Sequence, residues 1–138
     1  MLDDNCIFCK IVKGEIPSEK IYEDDDFLVM LDIAPASKGH AVILPKCHGA
    51  DIFELPDEYL EKILKVARKC AAGMKKVLNC DGINILQNNG EAAGQTVFHY
   101  HMHIIPRFKG DNVNVGWVPG DSADNAEIGK KIREAIEG

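Results

Sequence analysis

Residues 98–106 read Phe-His-Tyr-His-Met-His-Ile-Ile-Pro, and this alternation constrains the fold more than any other part of the chain. Successive side chains on a β-strand point to opposite faces. Extended backbone therefore puts His99, His101 and His103 on one face, about 6.6 Å apart at a rise of ~3.3 Å per residue. Phe98, Tyr100, Met102 and Ile104 take the other face, which needs an apolar partner. Helical geometry would scatter the three imidazoles. The partner is predicted in residues 56–78, where Leu60, Ile63, Leu64, Ala67, Ala71, Met74, Val77 and Leu78 recur at helical spacing. Pro56 suits the first helical position, acids come early and bases late as the helix dipole favours, and Asp81-Gly82 stops the helix.

The remaining elements are short. Cys6–Val12 reads as a helical turn closed by Gly14 and Pro17. Ile21–Glu23 and Phe27–Leu31 flank the turn-rich Asp24–Asp26 and read as a hairpin. His40–Leu44 reads as a strand ended by Pro45, and Ile83–Leu86 and Val97–Ile105 as two more. Asp124 and Glu127 have capping-box spacing and open a last helix expected to bury Ile128, Ile132, Ala135 and Ile136. Loops and a hairpin link most strands, so an α+β fold with an antiparallel sheet is expected rather than a βαβ repeat. At 138 residues the chain is expected to form one domain, residues 1–138.

Charge and cysteine usage narrow the function. Sixteen basic against 22 acidic residues give a net charge of −6, and no Lys/Arg run exceeds two, so no nucleic-acid polymer is expected as a partner. The strictly apolar run Phe27–Leu31 falls far short of the ~20 residues of a membrane span. Met1-Leu-Asp-Asp-Asn lacks the basic and apolar regions of a secretory signal. Five cysteines, an odd number, fit reduced thiols and a cytoplasmic location.

A lone strand histidine is usually a hydrogen-bonded structural group. Three on one face point instead to a metal site or to one nucleophilic imidazole oriented by its neighbours. The preceding segment, Gln87–Thr96, offers glycines, amides and a hydroxyl. It can present backbone N–H groups to an anion, although hairpin loops favour the same residues. Cys6-x-x-Cys9 has the spacing of half a zinc site, with His48 and His99 as further candidates. Spacing leaves open two free thiols in a short helix.

The run His99-Tyr-His-Met-His-Ile-Ile resembles the signature of the histidine triad (HIT) family. The likeness extends through Cys6-Ile-Phe-Cys-Lys-Ile, Leu31-Asp-Ile-Ala-Pro35, Gly39-His-Ala-Val-Ile-Leu-Pro-Lys46, His48, the amide-rich loop and Gly116-Trp-Val-Pro-Gly120. It is greatest for the small nucleotide-binding hydrolases of the family. The resemblance implies about five antiparallel strands per subunit, one long helix, short terminal helices, and a homodimer whose sheets join edge to edge. It implies a purine nucleotide substrate attacked at the α-phosphate by His101, giving a covalent nucleotidyl-histidine that water hydrolyses. Nucleoside phosphoramidates, aminoacyl-adenylates and dinucleoside polyphosphates are the implied substrates.

By the same resemblance His103, Gly94, Gln95 and Thr96 would hold phosphate oxygens, with Thr96 also serving the leaving group. Asn88 would contact phosphate or leaving group, Asp32 the ribose hydroxyls and Ile33 the base, while His40 supports the catalytic region from behind. Cys6, Cys9, His48 and His99 would hold a structural zinc, with no catalytic cofactor. Two rivals stand beside this reading: a nucleotide-binding or scaffolding protein with little catalysis, and a metalloenzyme using all three strand histidines.

Overall fold

Two runs of β-branched and other apolar residues, Phe27–Leu31 and Ala41–Pro45, are buried almost throughout, as inner strands covered on both faces must be. They lie at the centre of an antiparallel sheet in a computed structural model that describes residues 1–138. In chain order the elements are α1 (Ile7–Val12), β1 (Lys20–Glu23), β2 (Phe27–Leu31), β3 (Ala41–Pro45), α2 (Asp57–Leu60), α3 (Ile63–Leu78), β4 (Gly82–Gln87), a 3₁₀ turn (Glu91–Ala93), β5 (Met102–Arg107) and α4 (Asn125–Glu137). The five strands run in the order β1-β2-β3-β5-β4, all neighbours antiparallel. This is the expected α+β fold.

The period-2 alternation sorts the core into two layers. Phe27, Val29, Ala41, Ile43, Tyr100, Met102 and Ile104 pack with Ile63, Val66, Ala67, Cys70 and Met74 of α3. Leu28, Met30, Val42 and Leu44 face the other way, against Ile11 of α1. Full burial of each large side chain contributes about 1.5–3 kcal/mol. His103 pairs with Val42 across β3–β5 and so lies on the α1 side of the sheet.

Several expected boundaries shift. The helix expected over residues 56–78 is two, broken at Glu61 and Lys62, where Lys62 reaches φ −104°. Its buried stripe is Ile63, Val66, Ala67, Cys70 and Met74, whereas Leu64 and Val77 point outward. Spacings of three and four leave both off a stripe this narrow. The helix ends before Asp81-Gly82, at Leu78, because Asn79 takes the left-handed conformation (φ 51°, ψ 43°) that short polar side chains tolerate.

The ladder of β5 begins at Met102, so Val97–His101 precede the strand. Tyr100 still anchors that stretch, its N–H donating to Gly49 O (2.7 Å), while Phe98 stays exposed rather than meeting α3. Two further corrections concern α4. Asp124 makes no side-chain cap bond, and the helix buries nothing. Ile128, Ile132 and Ile136 are 47%, 53% and 79% exposed, and Ala135 is exposed too. Within one chain their apolar row meets no partner.

Candidate active site

His99, His101 and His103 form a row below α1, but each ring faces a different partner. His99 is fully buried, and its Nε2–H donates to Pro45 O (3.0 Å). That bond leaves the Nδ1 lone pair free, 3.4 Å from both Cys6 Sγ and Cys9 Sγ. His48 Nδ1 is 3.4 Å from Cys9 Sγ, and all four donor atoms lie within 4.8 Å of one another.

A tetrahedral zinc with Zn–S ~2.3 Å and Zn–N ~2.0–2.1 Å separates S from N by about 3.5 Å, so this donor set fits the ion. Backbone N–H groups of Asp3 and Cys9 donate to Cys9 Sγ (3.3 Å) and Cys6 Sγ (3.4 Å), the kind of outer support that orients thiolate ligands. Burial pushes the Cys9 thiol up to about 11. A thiolate there needs a cation beside it.

His101 points elsewhere. Its Nδ1 lies 2.6 Å from His99 O, and a carbonyl only accepts, so Nδ1 carries the proton and Nε2 keeps its lone pair. Burial lowers the pKa of the ring, against upward pulls from the His99 carbonyl and the Asp32 charge. A buried neutral imidazole with a free Nε2 is a competent nucleophile.

A second chain of bonds fixes His103. Ala36 N–H donates to His40 Nδ1 (2.9 Å), which obliges neutral His40 to carry its proton on Nε2. That N–H meets His103 Nδ1 at 2.9 Å. His103 is left with an Nε2–H donor, and burial, aided by neighbouring His101 and His40, pushes its pKa down to about 4. The row thus presents one lone pair beside one donor, with ring centroids 5.1 Å apart.

Asp32, His40 and His103 also cluster within metal-ligand reach. His40 Nε2 must be protonated while Ala36 holds Nδ1, so it offers no lone pair to an ion. Nor do the three strand histidines converge on one point, because His99 turns to the cysteines and His103 to His40.

A cleft of about 360 Å³ opens over this row. Asp32, Ile33, Gly94, Thr96, His101 and His103 all line it. Asp32 Oδ1 is held by Ala34 N–H (2.8 Å), and Ile33 stands fully exposed at the rim. His40, Asn88 and Gln95 do not reach the wall. Asn88 packs beside Gly94, whose φ of +98° only glycine adopts without strain.

Gln95 is buried and spends its amide inside the protein. Its Oε1 accepts from Gly90 N–H, and its Nε2 donates to Ala50 O and Val97 O. It braces the loop rather than facing a ligand. The opposite wall, Ile7, Phe8, Ile11, Ile16, Pro17 and Ser18, was not anticipated. Phe8 lies edge-on to His101 at a centroid distance of 5.0 Å. Its position between the two cysteines of the Cys-x-x-Cys turn was the available signal.

An antiparallel five-stranded sheet whose last strand and the segment leading into it carry three imidazoles, preceded by a glycine- and amide-rich loop, defines a histidine triad protein. The HIT domain matches residues 13–110, well over half of the chain, and this chain belongs to the HIT family. It is 44% identical over 136 residues to the adenosine 5'-monophosphoramidase HNT1 of Saccharomyces cerevisiae, covering 98% of this chain and 83% of that protein. A HIT family crystal structure from Bacillus anthracis superimposes with a TM-score of 0.87 at 43% identity, covering 97% of this chain and 96% of that one. A Zn-bound histidine triad family protein from Mycobacterium smegmatis gives a TM-score of 0.76 at 39% identity, covering 96% and 94%.

Proposed function

We propose that the chain, a single domain over residues 1–138, is a nucleoside phosphoramidase or related nucleotide hydrolase acting at the α-phosphate of purine nucleotide conjugates. The observation that carries this reading is the free Nε2 lone pair of His101, set by the bond from Nδ1 to His99 O, beside the Nε2–H of His103. The similarity to adenosine 5'-monophosphoramidases of Saccharomyces cerevisiae and Candida albicans supports the substrate class.

In the proposed mechanism His101 Nε2 attacks the α-phosphorus. A P–N bond forms as the bond to the leaving group breaks; the leaving group takes the hydroxyl proton of Thr96, and the water that attacks in the second step replaces it. His103 Nε2–H faces the charge that grows on the phosphate oxygens, where a preorganised donor is worth most. The N–H groups of Gly94 and Gln95 donate to Glu91 O (2.9 Å) and Gly90 O (3.1 Å) and hold the loop in shape beside it. Asn88 packs behind Gly94 and acts on the phosphate side only by supporting that loop. Water then attacks phosphorus, the P–Nε2 bond breaks and the monophosphate leaves. Asp32 takes the ribose hydroxyls, Ile33 flanks the base, and His40 keeps His103 in its donor tautomer.

Cys6, Cys9, His48 and His99 are the residues that would hold zinc. Bound there, the ion would cross-link α1 to the triad segment and would take no part in bond making. No catalytic cofactor enters the mechanism. The free cysteines fit a reducing cytoplasmic setting. A homodimer belongs to the same reading, supported by the open edge of β4 and the unpartnered apolar row of α4. The Gly116–Gly120 segment would then reach toward the partner's cleft.

His101→Asn tests the proposal. With adenosine phosphoramidate and diadenosine polyphosphates as substrates, the expected loss of turnover is roughly 10³-fold or more, with AMP binding retained. Acid-quenched wild type should carry an AMP adduct by mass that the variant lacks. Turnover near wild type in the variant would remove the nucleophile from the mechanism. AMP binding without turnover of any of these substrates by wild type would favour the scaffolding rival.

A further inference from the structure

Ser18 Oγ is a buried side-chain polar atom with no hydrogen-bond partner, and Ser18 belongs to the wall of the cleft. An unsatisfied buried hydroxyl costs about 1–3 kcal/mol, so native structures rarely keep one without a use. Its place in the cleft is fixed by β-pairing: Leu31 N–H donates to Glu19 O (2.9 Å), which sets Ser18 beside the Leu31-Asp32-Ile33 turn. On the proposed function the histidines and Gly94 take the phosphate, and the side of the cleft that Ser18 shares with Asp32 and Ile33 is the nucleoside end. Ile16, Pro17, Met30 and Ile33 of the same cleft are apolar, and their side chains offer no hydrogen bond. Asp32 is the carboxylate suited to two ribose hydroxyls. A base seated against those apolar side chains would still have edge nitrogens to satisfy.

We propose that Ser18 is a specificity-determining residue whose hydroxyl hydrogen-bonds the edge of the nucleotide base. This rests on the nucleotide reading of the cleft. One χ1 rotation between staggered wells is enough to re-aim a serine hydroxyl. As both donor and acceptor it can meet either a ring nitrogen or an exocyclic group.

The test compares AMP with ribose 5-phosphate, which keeps the sugar and phosphate but lacks a base, on wild type and Ser18→Ala by calorimetric titration. Melting temperature without ligand is the control for folding. The variant is expected to bind AMP roughly 5–10-fold more weakly, the worth of one hydrogen bond, and to bind ribose 5-phosphate as wild type does. Its melting temperature should hold or rise, since an orphaned polar atom is removed. Ser18→Thr, which keeps the hydroxyl, should restore part of the AMP affinity.

Equal AMP affinity in wild type and Ser18→Ala would overturn the assignment while leaving the nucleotide reading intact. An equal loss toward both ligands would place the contact on the sugar, which also overturns it. Failure of wild type to bind AMP would remove both.

Discussion

At the scale of single residues, main-chain groups decide which imidazole nitrogen carries a proton. His103 provides a measurable consequence. In the unfolded chain its pKa is near 6.5, and burial, with its two imidazole neighbours, pushes it down to about 4 in the fold. Between those values the unfolded chain binds a proton that the native ring refuses, so protons favour unfolding. This contribution to stability is whole above about pH 6.5 and is lost progressively as pH falls toward 4. Urea unfolding at pH 7, 6 and 5 should show the decline, and His103→Gln should make it shallower without removing it, because burial depresses His99, His101 and His40 in the same direction. A wild type that grows more stable on acidification over this range would contradict the argument.

The residue types at the site were legible because three histidines at period 2 are rare and because Asp32, Gly94 and Thr96 lie inside recognisable motifs. What stayed hidden was how each polar atom is spent. Gln95 looks like a ligand-binding amide in the sequence. Only the fold brings Ala50, Gly90 and Val97 around it to use both ends of its amide.

At the scale of elements, α1 has two tasks. It contributes Cys9 to the Cys/His cluster, with Cys6 as its N-cap, and Ile7, Phe8 and Ile11 to the cleft wall. Six residues are too few for a helix to persist alone in water, so its anchorage decides whether the wall exists. Cys9→Ala should abolish zinc binding, cost on the order of 2 kcal/mol of stability and weaken AMP binding, with the helix content of α3 retained. Metal analysis, melting and titration with AMP check this together. An unchanged AMP affinity would separate the cluster from the cleft.

The long helix was readable from apolar spacing, although its break at Glu61–Lys62 was not, since no proline or glycine marks it. The end at Asn79 was missed for a similar reason. An asparagine gives a weaker stop signal than the Gly82 that follows it.

At the scale of the whole molecule, the sheet is covered on one face by α3 and on the other by α1, while α4 contributes no residue to either layer. Sequence periodicity correctly marked α4 as amphipathic but could not say which body would cover its apolar row. Deleting Asp121–Gly138 should leave the thermal unfolding of the core nearly unchanged, because no core residue is lost. The same deletion should shift the assembly toward monomer by light scattering if a second copy is the cover. A deletion that melts the core would mean that α4 packs on its own domain in solution. An undiminished assembly would leave the edge of β4 as the sole contact.

The pinning of His101 by the carbonyl of residue 99, and of His40 by the amide of residue 36, sets a limit for engineering. Both anchors are peptide groups, present whatever amino acids occupy positions 99 and 36, except that proline at 36 would lack the amide. Redesigning side chains around the row can change which molecules enter, but it leaves the protonation pattern in place. Moving the free electron pair of His101 to the opposite nitrogen would require rerouting the peptide itself.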